Sequence, residues 1–119
     1  MAKAERTWSG AELTARLGAL PGWREDGGTI RRDYVTEGWP ATLMAANALG
    51  FLAEAADHHP DLALGWGRLT VRLSTHSAGG ITDKDLELAR RIDDLVLWRP
   101  GAGSALAGTT RKFVQPDGA

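Results

Sequence analysis

The stretch that decides the fold is LTVRLST, residues 69–75, in which every second side chain is polar. An alternation with a period of two is typical of a β-strand with one buried face. Arg72, Ser74 and His76 share the other parity, although a bulge at the strand end could turn His76 either way. The residues predicted to share the core face are Leu69, Val71, Leu73 and Thr75.

Working outward from this strand towards the N-terminus, Gly67-Arg68 predicts a tight turn that leads back to a short strand over residues 63–66. Pro60 forbids helix at the start of that strand. Residues 40–57, which open on Pro40 and are rich in alanine and leucine, predict a long helix. One face of this helix carries Met44, Ala48, Phe51 and Ala55.

The flanking segments supply the remaining elements. An Asp-Gly signal at residues 26–28 predicts a hairpin between strands over 22–25 and 29–36. The spacing of Ser9 and Glu12 suits a capping box, and it predicts a first helix that continues to Leu20. Thr82 and Asp85 have the same spacing and predict a last helix ending near Leu97. Its apolar stripe is Leu88, Ile92 and Leu95.

The element order α-β-β-α-β-β-α predicts an α+β fold, a four-stranded antiparallel sheet with three helices packed on one face. We expect one domain over residues 1–97, with its core in residues 9–97. The remainder, residues 98–119, is rich in glycine and proline. It predicts a tail that is either flexible or packed on the domain edge.

Composition narrows the function classes. The chain of 119 residues has a formal charge of -1 and no cysteine, so any metal would rest on histidine and carboxylate alone. The interspersed charges argue against nucleic acid as a direct ligand. No signal peptide or run of eighteen apolar residues is present, which predicts a cytoplasmic protein without a membrane partner.

All three histidines fall in one short region together with several carboxylates. Imidazole titrates near neutral pH, so this grouping indicates general acid/base catalysis. Glu54 precedes His58 by one helical turn, and we expect it to orient that ring or favour its protonated form. The residues concerned are Glu54, Asp57, His58, His59, His76 and Asp85.

Each of these residues also has a purely structural interpretation. Adjacent histidines before a proline suit the C-terminus of a helix, and Asp85 occupies the capping position of the last helix. Trp23 and Trp66 are aromatic residues of a kind that more often packs in a core or an interface. A zinc site is disfavoured, because His58 and His59 are adjacent and lack the i, i+4 spacing that aims two imidazoles at one ion.

The pattern Glu54, His58-His59-Pro60, Trp66, His76 and Asp85 resembles the signature of the pterin-4a-carbinolamine dehydratases. Gly22-Trp23 before the hairpin and Gly79-Gly80 after the third histidine fit the same family. The resemblance covers about residues 9–97, because the element order agrees over that span.

The resemblance implies an enzyme that dehydrates 4a-hydroxytetrahydropterin, the product of aromatic amino acid hydroxylases, to quinonoid dihydropterin in tetrahydrobiopterin recycling. It implies no metal and no organic cofactor. The catalytic residues that it implies are His58, His59 and His76. The substrate-binding residues that it implies are Glu54, Asp57, Trp23, Ser74, Thr75 and Asp85, with Ser74-Thr75 facing the ring through their backbone.

The same resemblance leaves a non-catalytic alternative. Relatives of this fold include a dimerisation cofactor for a homeodomain transcription factor in animals and an assembly factor for a carbon-fixing enzyme in bacteria. The three histidines favour the enzyme. The resemblance also implies a homodimer through the sheet or a homotetramer through helices, and a functional link to an aromatic amino acid hydroxylase. Leu62, Ser77 and the tail depart from the common pattern.

Overall fold

The computed structural model describes residues 5–116. Its elements follow the predicted order, with one short 3₁₀ turn in addition. In chain order they are α1 (Gly10–Leu17), β1 (Arg24–Asp26), β2 (Thr29–Val35), α2 (Trp39–Ala56), β3 (Asp61–Gly65), β4 (Arg68–Leu73), a 3₁₀ turn (His76–Ala78) and α3 (Asp83–Val96).

The four strands form one antiparallel sheet in the order β1-β2-β4-β3. The predicted alternation in β4 is confirmed, since its odd-numbered residues from 69 to 75 are all buried. They meet Ile30 and Tyr34 of β2 and Leu49 of α2 in the core, beneath the helices. The fold is therefore the predicted α+β arrangement, a four-stranded antiparallel sheet with three helices on one face.

Helix α2 turns a different face to the core from the one that carries its largest side chains. Met44 and Phe51 are 51% and 80% exposed. Small residues lie against the sheet instead, among them Ala45, Ala46 and Ala53. Small side chains allow a helix backbone to approach the sheet closely, so alanine can serve as the core residue here.

The two hairpins differ slightly from the predicted ones. Gly27 and Gly28 form the first turn with φ of 59° and 79°, as a type I′ turn requires. In the second hairpin Gly65 pairs with Arg68, so the turn residues are Trp66 and Gly67 rather than Gly67 and Arg68. Strand β3 therefore begins directly after Pro60, at Asp61.

The predicted capping box at the first helix is absent, whereas the one at the last helix is present. Ser9 precedes α1 without a side-chain cap, and Glu12 pairs with Arg6 instead. At α3 the Thr82 and Asp85 side chains cap reciprocally. The same spacing thus gave one correct and one wrong prediction.

The tail lies along the edge of β2 that β1 leaves open. Val114 bridges Thr36 and is 1% exposed. Gln115 N–H donates to the carbonyl of Val35 at 2.8 Å, and Glu37 N–H donates to that of Phe113 at 3.1 Å. Residues 113–115 thereby continue the sheet edge beyond β1. No helix within residues 5–116 is both long and apolar enough to cross a membrane.

Candidate functional site

The last turn of α2 sets the directions of the two adjacent histidines. Asp57 adopts the left-handed conformation, with φ of 52°. His58 N–H donates back to the carbonyl of Ala53 at 3.1 Å, as in a Schellman motif. A left-handed residue other than glycine is strained, and strain of this kind concentrates at functional sites. The chain leaves the helix so sharply that His58 and His59 diverge.

His58 turns inward, to a carboxylate that is completely buried. Its Nε2 donates to Oδ1 of Asp85 at 2.6 Å, and Asp85 is 0% exposed. The carboxylate therefore fixes the proton on Nε2. In the neutral ring Nδ1 is left as the hydrogen-bond acceptor.

The second oxygen of Asp85 anchors this pair to the start of α3. Oδ2 accepts from Thr75 Oγ1 at 2.8 Å and from the Thr82 N–H at 2.9 Å. The Thr82 hydroxyl lies 2.8 Å from that of Thr75. Asp85 is thus both the capping acid, as its position predicted, and the partner of His58. Because it is fully enclosed, it reaches a ligand only through His58.

Glu54 lies against His59 rather than His58, which corrects the expected pairing. Its Oε1 accepts from His59 Nε2 at 2.7 Å. The prediction assumed that the helix continues through residue 58, which would place Glu54 and His58 one turn apart. The left-handed Asp57 breaks that geometry and brings His59 back over the helix end. Both members of the pair are largely exposed.

The three histidines line one hollow, which we call the histidine cleft. Its volume is about 290 Å³. His76 reaches it from the 3₁₀ turn that follows β4, an element that the sequence did not predict. The cleft is lined by Asp57, His58, His59, Ser74, Thr75, His76, Ser77 and Lys84.

The structure does not place every predicted site residue in the histidine cleft. Trp23 is a core residue at 4% exposure; its indole N–H donates to Asp93 at 3.1 Å and its ring meets Tyr34 edge-on. The Thr75 side chain is committed to Asp85, and its backbone N–H donates to Gly80 at 2.8 Å. Thr75 N–H is therefore not available to a ligand.

Ser74 fits a backbone contact better than Thr75 does. The pairing of β2 with β4 ends at Leu73, and the next bridge joins Thr75 to Gly80. Ser74 lies between the two and lines the histidine cleft. Of the predicted pair, Ser74 is the residue placed to meet a substrate.

Sequence reasoning missed Lys84. It lines the histidine cleft and also a neighbouring groove of about 600 Å³ between α2 and α3. A hydrogen bond to Glu5 at 2.8 Å raises the pKa of Lys84, so the side chain carries its charge at neutral pH. The signal was available, because Lys84 follows the Thr82 cap by two residues at the helix end that holds Asp85.

The site contains histidine and carboxylate but not the geometry of a metal centre. His58 and His59 each bond to a different carboxylate and point apart. Within residues 5–116 no three such side chains converge as ligands for one ion.

Comparison with known proteins agrees with the arrangement of these residues. The family model for pterin 4 alpha carbinolamine dehydratase matches residues 6–95 of the chain. A protein of Roseiflexus castenholzii is 44% identical over 86 residues, which cover 72% of this chain and 92% of the relative. One of Aquifex aeolicus is 42% identical over 91 residues, covering 76% and 92%. Both carry the provisional name pterin-4-alpha-carbinolamine dehydratase.

A solved structure shows the same fold. The crystal structure of a transcriptional coactivator/pterin dehydratase from Brucella melitensis superposes with a TM-score of 0.72 at 27% identity. The match covers 76% of this chain and 99% of that one. Family match and relatives both end before the tail.

Proposed function

Because the chain belongs to the pterin-4-alpha-carbinolamine dehydratase family, we propose that it dehydrates 4a-hydroxytetrahydropterin to quinonoid dihydropterin by histidine acid/base catalysis. The observation that carries this proposal is the meeting of three imidazoles in one cleft, two of them held by carboxylates. Sequence spacing alone could not show that the rings share a cleft.

The reaction needs only proton transfers. The substrate carries a hydroxyl on C4a and a hydrogen on the adjacent N5. An acid protonates the hydroxyl, the N5 lone pair forms the C4a=N5 bond as water leaves, and a base removes the N5 proton. Groups that titrate near neutral pH can serve as both acid and base.

The two adjacent histidines have different surroundings, which is how like groups take opposite roles. His58 is mostly buried, and Asp85 holds its proton on Nε2. We assign it as the base, since its Nδ1 is free to accept the N5 proton. His59 is exposed beside Glu54, which favours the protonated ring. We assign it as the acid at the mouth of the histidine cleft, where water can leave.

The remaining residues bind and orient the substrate. His76 and Ser74 lie on the opposite wall of the histidine cleft, on the chain that leaves β4. Asp57 supplies carboxylate oxygens that can accept from the amino and ring N–H groups of a pterin. No metal or organic cofactor has a part in this scheme. The class of reaction that supplies the substrate is hydroxylation of an aromatic amino acid, in the recycling of tetrahydrobiopterin.

A stopped-flow assay with freshly generated 4a-hydroxytetrahydropterin tests the proposal. Replacing His58 or His59 with alanine should lower kcat by roughly a hundredfold or more, the usual contribution of a general acid or base. Thermal melts should change little for His59→Ala, since that ring is exposed. Full activity in both variants, or no activity in the wild type, would refute the proposal.

A further inference from the structure

The sheet has two edges, and only one of them is closed. On the β1 side, β1 covers residues 29–31 of β2, and residues 113–115 of the tail bond to residues 35–37. Strand β1 itself is three residues long and charged throughout, a combination that discourages further pairing. On the other side, β3 pairs with β4 alone among the described residues.

The open edge presents a defined set of backbone groups. Gly65 and Arg68 flank a two-residue turn, so they form a hydrogen-bonded pair, and every second residue of β3 then points its backbone to β4. Leu62 and Leu64 consequently direct their N–H and C=O groups outward. Leu64 is also 40% exposed. This edge therefore offers both unpaired backbone groups and apolar surface.

A second copy of β3 complements this edge. Antiparallel pairing that bonds Leu62 of one copy to Leu64 of the other places the two-fold axis at Ala63. All four outward N–H and C=O groups of each strand are then used. Asp61 is the only charged residue of β3, and in this register it lies opposite Gly65, so no like charges meet.

The same register has a consequence for the active site. One residue beyond the paired strand, Trp66 of the second copy lies opposite Pro60, next to His59. Trp66 is 71% exposed, and its own chain contacts it from one side only, through Gly38 and Thr42. A large aromatic ring so exposed at an open sheet edge is an unusual expense unless another surface covers it.

We propose that β3 pairs with β3 of a second copy, and that Trp66 of each copy closes the mouth of the other copy's histidine cleft. The first part is independent of the reaction. The second part rests on the proposed function, since the ring would cover the bicyclic substrate beside His59 and limit the entry of water. Each complete site then needs two chains.

The molecular mass in solution tests the pairing. Leu64→Pro removes an outward N–H and leaves the bonds to β4 intact, so it should halve the mass measured by light scattering. Glu25→Pro removes the matching outward N–H on the opposite edge and should leave the mass unchanged. Leu64→Lys serves as a second variant if the proline impairs folding. An unchanged mass with Leu64→Pro or Leu64→Lys in a folded protein overturns the pairing.

Cross-linking tests the position of Trp66 without reference to activity. The natural chain has no cysteine, so the background is empty. A mixture of a Pro60→Cys chain with a Trp66→Cys chain should form a disulfide-linked dimer on oxidation, because these positions lie opposite each other. A mixture of Glu25→Cys with Trp66→Cys should not. Equal yields of the two mixed dimers contradict the register.

Complementation tests whether Trp66 acts in the other copy's site. Trp66→Ala and His58→Ala proteins should each be poorly active, the former through a KM raised roughly tenfold by the lost aromatic contact. Random exchange of the two should restore about a quarter of wild-type activity, because half the dimers then hold one complete site. Absence of restoration overturns the role in trans, whereas an inactive wild type with intact pairing and cross-linking refutes the proposed function alone.

Discussion

Asp85 accepts a hydrogen bond from His58 through one carboxylate oxygen and caps helix α3 through the other. The distances are 2.6 Å to the ring and 2.9 Å to the Thr82 N–H. A single buried group therefore fixes both the start of a helix and the tautomer of a proposed catalytic base. The orientation of His58 is as rigid as the packing of the first turn of α3.

Asp85→Asn should separate these two roles. The amide keeps an oxygen for one partner but loses the charge, so kcat should fall roughly a hundredfold with KM little changed. The free energy of unfolding should fall by about 1 kcal/mol through the weakened cap. Stopped-flow kinetics and urea unfolding measure the two effects.

Asp83→Asn is the matched control, since Asp83 lies in the same helical turn but is exposed. It should retain kcat. Equal losses of kcat in the two variants would show that Asp85 acts on the helix alone.

Glu54→Gln should affect catalysis without affecting stability. The Glu54–His59 pair is exposed, so we expect a change below about 0.5 kcal/mol in the free energy of unfolding. We also expect a smaller loss of kcat than for Asp85→Asn, because solvent can replace an exposed carboxylate as partner. Glu87→Gln, a change of another exposed helix carboxylate, should leave both quantities unaltered. A larger loss of kcat in Glu54→Gln than in Asp85→Asn would reverse our ranking of the two carboxylates.

Asp33 predicts a specific dependence of stability on acid. Burial raises its pKa, but hydrogen bonds from Thr70, Arg24 and Arg31 outweigh burial and hold the pKa at about 2. A carboxyl group whose pKa is lower in the folded state than in the unfolded chain stabilises the fold above the unfolded pKa. That contribution is lost as the pH falls from about 4 to about 2.

Asp33→Asn should therefore lower the free energy of unfolding by about 2 kcal/mol at pH 6, with the difference shrinking towards zero by about pH 2. Denaturant titrations at several pH values measure it. Asp94→Asn, a change at an exposed position on α3, is the control and should show little difference throughout. A difference between Asp33→Asn and wild type that does not vary with pH would contradict this account.

Val114→Ala tests whether the tail is part of the folded domain. The side chain is 1% exposed, so truncating it should cost about 2 kcal/mol of stability. Leu106→Ala, at a tail position 62% exposed, should change stability by less than about 0.5 kcal/mol. Thermal or urea unfolding would show the contrast. If both variants matched the wild type, the docking of the tail would contribute nothing to the domain.

The sequence predicted the fold well where periodicity and turn chemistry agreed. Strand β4 and the cap of α3 are examples, because alternation and capping are local properties. It misjudged α2, whose large side chains Met44 and Phe51 are exposed. The choice of buried face depends on how closely the backbone packs on the sheet, which is a tertiary property.

For the site, sequence predicted the residues better than their contacts. The histidines do share a cleft. The partner of Glu54 was wrong, because nothing local announces that Asp57 adopts a left-handed conformation. The location of Trp23 in the core and the part played by Lys84 required the packing of α3 against the end of α2.

The double use of Asp85 limits how this protein can be altered by directed evolution. Screens for heat resistance commonly accept changes at helix caps, which are among the simplest stabilising substitutions. At this position such a change would also release the ring of His58. Selection for robustness and selection for turnover therefore act on the same carboxylate, and neither can be relaxed without the other registering it.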